Sequence, residues 1–511
     1  MKNFGMITII TNRIKIVAGK MKNSHDMKYF TVLIFALFAS VAMMGQGYEI
    51  KVKPQGCSHE QLFLVQHFRD ELIVLDSAKR DKSGTFTFRG KKALEKGIYA
   101  FTTSEKKKGL TDFVVDDSQR FTIECDSTFK PASMKIKGSL ANTHMFEYIA
   151  RNDKARAQAR QYEKDKKSSD AKVKAQATAD MEALSTEMMA YEKDMMEKHS
   201  KERFFKLQKM FSGPDVPEEV LDKACYYRTH YWDGVDLRDR SLRYTPDLFN
   251  KMNYYFFGVL YYSEADTICH YADRMLKQVE SDTAMLRYVL EFIMPKYYRS
   301  TKNIGWDQVW CYLVRNYYLA GKCTFATAAD IANKKQTCEF LEKSLIGAFG
   351  QELFMADTNQ SENPTDWISS HRFPEKYVIL WFWDPDCHHC QEQTATLITL
   401  YDSLSAAGNK PFEVYAIGYE SDVPKWKKYV KQHNLPFVNV GGPNVNIDYQ
   451  EAYNIHGAPT MIILNADRQI IMNKTLPTAS ILPFLKEYEK KHPEQANRPP
   501  SKWQLYGKSR R

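Results

Sequence analysis

The run YVILWFW, Tyr377–Trp383, is apolar without a break and passes straight into DPDCHHC. An unbroken apolar stretch of this length reads as a strand buried on both faces, because each face must meet a hydrophobic layer. Helices packed on either side of a sheet supply those layers, so the stretch points to an α/β domain. The segment after Cys390, QEQTATLITLYDSLSAAG, reads as a helix ended by Gly408. Cys387 therefore falls where a buried strand gives way to a helix N-terminus, with Cys390 one turn further in.

Three chemistries compete for Cys387-His388-His389-Cys390. Zinc takes about four ligands, usually as two close pairs. Here one pair has no match downstream, His433 and His456 are singletons, and two adjacent histidines rarely converge on one ion. A structural disulfide across two residues closes a tiny loop and removes little chain entropy. A reactive thiol pair fits the position better. Free N–H groups and the helix macrodipole stabilise a thiolate at Cys387, and His388 and His389 add donors and, when protonated, positive charge. An ordinary thiol with pKa ~8.5 is only about 3% ionised at pH 7, whereas a CxxC thiol at such a site falls to ~7 or lower. The expected roles are attack by Cys387 and resolution by a buried Cys390, with no metal and no cofactor.

A second element lies downstream in HGAPT. Proline is awkward at a strand start unless it turns the chain, and a cis Ala458–Pro459 bond would do so. It would present the Ala458 backbone to an extended substrate segment beside the cysteines. The order around these motifs is strand (FEVYAIGY), helix (VPKWKKYVKQHN), short strand (PFVNV), helix, turn and strand (NIDYQEAYNIHGAPTMIILN), a turn at Asn465–Asp467, strand (QIIMNKTL) and helix (SILPFLKEYEKK). QELFMADT adds a strand before them.

Residues 346–492 resemble a thioredoxin-fold domain of the TlpA/ResA type, on the Phe382-Trp383 pair before the motif, WDPDCHHC, GAPT and the hairpin after it. The resemblance implies that Cys387 and Cys390 are the redox pair, that Pro459 is the cis-proline and that Trp383 supports the site. The chain departs from that pattern twice. Trp381 stands where thioredoxins carry a buried acid, and Gln393 where the TlpA/ResA type often has a glutamate. Asp384 and Asp386 are the nearby acids, expected on the exposed loop.

Residues 46–140 read as a β-sandwich of seven or eight strands, with GYEIKVKP and GTFTFRG alternating and RFTIECD and MKIKGS following at short intervals. Residues 141–345 read as an all-α domain, with Ala177, Met181, Leu184, Met188, Tyr191 and Met195 forming one helical stripe. The whole chain resembles multidomain periplasmic thioredoxin-like proteins of Bacteroidota, in which a sandwich and a helical domain of unknown function precede the thioredoxin domain. The stretch HYWDGVDLRDRSLRYTPDLFNKMNYYFF carries that resemblance in the helical part. The basic tail, 493–511, is expected to be disordered.

Met27 opens MKYFTVLIFALFASVAMMGQ, a basic start followed by an apolar run of signal-peptide length. Residues 1–45 are read as an N-terminal extension and signal peptide cut near Gly45, or as an uncleaved anchor, and the body is expected in the periplasm or cell envelope. Seven cysteines besides the CxxC pair are scattered and form no disulfide framework. The net charge of +10 does not argue for nucleic acid, since no zinc-finger, RNP-like or phosphate-loop motif accompanies it. The expected partners are client proteins with cysteines or disulfides and a membrane or periplasmic thiol electron donor or acceptor. The rival readings are a peroxiredoxin-like peroxidase and a non-enzymatic binding protein that works through its first two domains.

Overall fold

The computed structural model describes residues 47–103, 109–298, 305–419, 422–496 and 498. The signal segment expected at 1–45 lies outside the described residues. The chain divides into two compact units, Met1–Tyr255 and Phe256–Arg511.

The first unit begins with eight strands: β1 (Tyr48–Gln55), β2 (Gln61–Phe68), β3 (Glu71–Lys79), β4 (Phe86–Gly90), β5 (Gly97–Thr102), β6 (Thr111–Val115), β7 (Arg120–Asp126) and β8 (Lys135–Lys137). They form two four-stranded sheets, ordered β4-β1-β7-β8 and β3-β2-β5-β6. Strand alternation turns Ile50, Val52, Phe86 and Phe88 inward. Aromatic rings tie the two sheets together: Phe88 stacks on Phe101 at 5.4 Å and Phe113 meets Phe121 edge-on at 5.9 Å. Helix α1 (Leu140–Asp165) is capped by Ser139 and pinned to the sandwich by the buried Asn142, which exchanges two hydrogen bonds with the backbone of Val114.

Helix α2 (Ala171–Lys198) runs back along α1, and of its apolar stripe only Ala177 and Met195 are fully buried. A single partner helix covers one side of a stripe and leaves the rest half-exposed. Helices α3 (Arg203–Phe211), α4 (Lys223–His230) and α5 (Pro246–Tyr254) complete this unit.

The second unit opens on four helices, α6 (Ala265–Val279), α7 (Thr283–Tyr297), α8 (Trp306–Leu313) and α9 (Ala328–Glu342). A sheet of seven strands follows: β9 (Phe354–Asp357), β10 (Ile368–Ser369), β11 (Tyr377–Trp383), β12 (Phe412–Gly418), β13 (Val438–Val445), β14 (Thr460–Leu464) and β15 (Ile470–Met472), in the order β10-β9-β13-β12-β11-β14-β15. Strand β11 pairs parallel to β12 and antiparallel to β14.

The apolar run now has its physical explanation. Tyr377, Ile379, Trp381 and Trp383 enter a core with α10 (His388–Ala406), α11 (Val423–Gln432) and α13 (Ile481–Lys491), whereas Val378, Leu380 and Phe382 enter a second core with α12 (Tyr449–Tyr453). All seven residues are buried, as a central strand between two helical layers requires.

Two features differ from expectation. The edge strand β10 has no sequence signal, being two residues held by the backbone of β9. The segment expected as a disordered tail opens instead on a helical turn, α14 (Pro493–Ala496). The Ala496 carbonyl accepts from Lys376 Nζ at 3.1 Å, and Gln495 is buried, so the tertiary contacts of the turn outweigh its polar composition.

Candidate active site

Strand β11 ends at Trp383, and a turn at Asp384–Asp386 reverses the chain, closed by the Cys387 N–H donating to the Asp384 carbonyl at 3.2 Å. Cys387 is the N-cap of α10, in an extended conformation (φ −92°, ψ 114°). Its sulfur does what a serine or aspartate does at that position: it accepts the Cys390 N–H, at 3.2 Å. The thiol in turn lies 3.8 Å from the Ala458 carbonyl, as a weak donor.

Sheet register brings these groups together. Phe382 pairs with Thr460, so the loop before β14 ends beside the loop after β11. The Ala458–Pro459 peptide bond is cis. Thr460 Oγ1 donates to the Gly457 carbonyl at 2.7 Å and Thr475 Oγ1 to the Pro459 carbonyl at 2.8 Å, which fixes this loop from both sides.

The two sulfurs differ in environment. Cys387 is half-buried, whereas Cys390 is fully buried in the core shared by β11, α10 and α11. Burial, helped by the Cys387 contact and the Asp384 charge, pushes the Cys390 thiol up to about 12. Trp383 is buried beneath the site with its ring 5.3 Å from that of Tyr429.

The histidines do not take the place expected of them. His388 and His389 are 84% and 81% exposed and both turn to Glu392, at 3.3 and 3.4 Å. The hydrogen bonds of the Cys387 sulfur run instead to Cys390 and Ala458. The reason is helical geometry: His388 and His389 lie on the exposed face of the first turn, where each meets the side chain three or four positions on. Asp386 faces solvent and pairs with Lys425 at 3.0 Å. The close groups of metal-ligating side chains among the described residues are His144–His199–Glu202 and Cys311–Cys338–Glu342, and neither includes the CHHC residues.

The missing acids are replaced by neutral hydrogen bonds. Trp381 Nε1 donates to Thr394 Oγ1 at 3.0 Å, with both residues buried. Gln393 Oε1 accepts the Thr478 N–H at 3.0 Å and so binds α10 to the short turn, Thr478–Ser480, that precedes α13. Sequence reasoning missed Thr394, although its position four residues after Cys390 puts it on the same buried helix face. Thr394→Val strands the indole N–H. It is expected to cost ~1–3 kcal/mol, read as a lower denaturant midpoint for the second unit, and Thr394→Ser is expected to restore most of the loss.

The strand order, the N-capping cysteine and the proline loop define a thioredoxin-like domain. Residues 375–470 match the family model described as Thioredoxin-like. Residues 157–344 match a Domain of unknown function (DUF5106). The soluble secreted antigen MPT53 of Mycobacterium tuberculosis is 28% identical over 120 residues, 24% of this chain and 64% of the relative. The chain thus spans just under two thirds of the length of the curated relatives it matches. A thioredoxin-like protein from Bacteroides caccae aligns over 55% of this chain and 98% of its own, at 17% identity and a TM-score of 0.43. A domain of a possible thiol-disulfide isomerase from Cytophaga hutchinsonii aligns over 29% of this chain and 96% of its own, at 27% identity and a TM-score of 0.26. The chain is a multidomain protein with a C-terminal thioredoxin-like domain.

Proposed function

We propose that this protein is a thiol–disulfide oxidoreductase of the cell envelope that exchanges disulfides with protein cysteines through Cys387 and Cys390. The observation that carries the reading is the asymmetry of the pair: a half-buried sulfur at a helix N-terminus accepting a backbone N–H, with a fully buried partner thiol one turn away.

The steps follow from that asymmetry. The Cys387 thiolate attacks one sulfur of a client disulfide, forms a mixed disulfide and releases the first client thiolate. Cys390 loses its proton and attacks Cys387 Sγ, releasing the second client thiolate and leaving a Cys387–Cys390 disulfide. Two electrons have passed to the client, and a thiol donor must return two electrons and two protons to the pair. The Ala458 backbone, with its carbonyl turned to Cys387, is the edge along which an extended client segment lies. A cavity of ≈ 330 Å³ lined by Pro459, Thr460, Asn454 and Lys474 opens beside it.

Net reduction or isomerisation of clients is the direction we favour, with the electron donor in or near the membrane. No helix among the described residues is long and apolar enough to cross a membrane. The name of the curated relative, a secreted antigen, supports an extracytoplasmic location for this chain as well.

Insulin reduction by the purified chain with a thiol donor tests the activity. Catalysed precipitation supports the reading, and a rate equal to that of the donor alone overturns it in favour of a binding role. A pH dependence follows from the buried thiol. Resolution needs the Cys390 thiolate, and burial, which still acts once Cys387 is held in the mixed disulfide, keeps that thiol raised and protonated through the neutral range. The thiolate fraction then rises tenfold per pH unit, so the mixed-disulfide lifetime is expected to shorten about tenfold per unit between about pH 6 and 8. Quenched-flow trapping measures it, and a lifetime independent of pH contradicts the assignment.

A further inference from the structure

The first unit brings His144, His199 and Glu202 together from three elements. His144 lies in the first turns of α1, His199 is the C-cap of α2, and Glu202 is the N-cap of α3. Their ligand atoms all lie within 4.8 Å of one another. Glu202 Oε1 receives both imidazoles, His144 Nδ1 at 2.8 Å and His199 Nδ1 at 2.9 Å, and the two rings lie against each other with centroids 3.9 Å apart. The other carboxylate oxygen, Oε2, is buried and has no hydrogen-bond partner.

That oxygen is the telling feature. In a cluster of two imidazoles and one carboxylate, an unsatisfied buried acceptor costs ~1–3 kcal/mol or more. A cation held by the carboxylate removes the cost. The setting favours such a cation. The His199 ring stacks on Phe205 at 5.2 Å, and Tyr148 meets Phe205 edge-on at 5.6 Å, so one side of the cluster is apolar and weakly screening. The charge of the adjacent Arg203 is taken up by Asp116 at 3.6 Å and Asp239 at 3.5 Å. On the open side Glu202 borders a cavity of ≈ 570 Å³ with Ser139, Thr143 and Asp116, large enough to admit an ion and its waters.

We propose that His144, His199 and Glu202 hold a divalent transition-metal ion, zinc above all, in a two-histidine, one-carboxylate site completed by water from this cavity. Imidazole with carboxylate suits zinc, cobalt, nickel and copper rather than magnesium or calcium. With zinc–nitrogen distances of ~2.0–2.1 Å, tetrahedral ligand atoms stand ~3.3 Å apart. The two histidine–carboxylate pairs, at 2.8 and 2.9 Å, need to open by about half an ångström, and the two imidazole nitrogens, within 4.8 Å of one another, need to settle at the same spacing, both within reach of side-chain rotation. Each imidazole must then present its Nδ1 lone pair and carry its proton on Nε2. The ion ties the open end of the α1–α2 hairpin to the start of α3, with no part in thiol exchange.

The test uses the full chain with Cys387→Ser and Cys390→Ser, so that the thiol pair cannot bind metal. After chelation it is titrated with Co²⁺ followed by Zn²⁺. The expected result is one equivalent of Co²⁺ with the visible bands of a nitrogen–oxygen site and no sulfur charge-transfer band, displaced by Zn²⁺. His144→Ala and His199→Ala are each expected to weaken binding by more than the roughly 10–100-fold that outer-shell changes cost. Absence of saturable one-equivalent binding in the parent overturns the proposal whatever the variants do. Unchanged Co²⁺ affinity in a folded His199→Ala protein, checked by circular dichroism, overturns it as well.

Discussion

Cys387→Ala is expected to abolish insulin reduction, by at least ~10³-fold, because no other thiol stands at the surface of the site to attack. Cys390→Ala should behave differently. Attack by Cys387 survives, but the mixed disulfide has no internal resolving thiol and accumulates on client proteins. The structural basis is the difference in setting: Cys387 is half-buried at the N-cap of α10, and Cys390 is fully buried in the core. Gel-shift trapping in envelope extracts, followed by identification of the adducts, gives the clients directly. Adducts on Cys387→Ala and none on Cys390→Ala would reverse the two roles. The same experiment separates exchange on proteins from peroxidase chemistry, which leaves no client adducts.

Arg468→Ala should give the largest loss of stability in the thioredoxin-like domain. Arg468 is fully buried in the turn between β14 and β15, and burial lowers it to about 10, so it stays cationic at neutral pH. Its guanidinium donates to four carbonyls: His371 at 3.0 Å, Phe373 at 2.9 Å, Asn465 at 3.2 Å and Lys376 at 3.4 Å. Three of them belong to the segment that leads into β11, so this side chain joins the last hairpin to the strand that carries the cysteines. At ~1–3 kcal/mol for each stranded buried acceptor, the expected cost is ~3 kcal/mol or more. Native-state hydrogen exchange of β11 and β14 amides should then quicken by at least ~10²-fold. An increase of less than tenfold would show that water or a neighbouring donor replaces the guanidinium.

The α/β domain was legible because its signals are local. A strand buried on both faces must be continuously apolar, so YVILWFW announced β11 and the two layers around it. Gly408, at φ +66°, marked the end of α10 for a reason contained in one residue. Alternation in GYEIKVKP and GTFTFRG marked two sandwich strands in the same way, since period-two burial is written along the chain. The spacing of Cys387 and Cys390 at a strand–helix junction also sufficed to place one sulfur at the helix end and the other one turn inside.

Contacts between distant segments were not legible. The turn of His388 and His389 toward Glu392 is by contrast a contact over four and three residues, which helix spacing alone could have signalled. The hydrogen bond between Trp381 and Thr394, standing where an acid was looked for, needs a strand and a helix in register. Arg468 reads as an ordinary surface charge after a turn until the fold closes four carbonyls around it. The meeting of His144 with His199 and Glu202 joins residues 58 positions apart and has only the weak local trace of a histidine three residues before a glutamate. By itself the sequence determined most of the elements, their order and the place of the two cysteines at a strand–helix junction, because periodicity, helix capping and the CxxC spacing act over a few residues. Only the tertiary structure decided which polar groups are buried together, because desolvation and hydrogen-bond pairing are set by segments that become neighbours on folding.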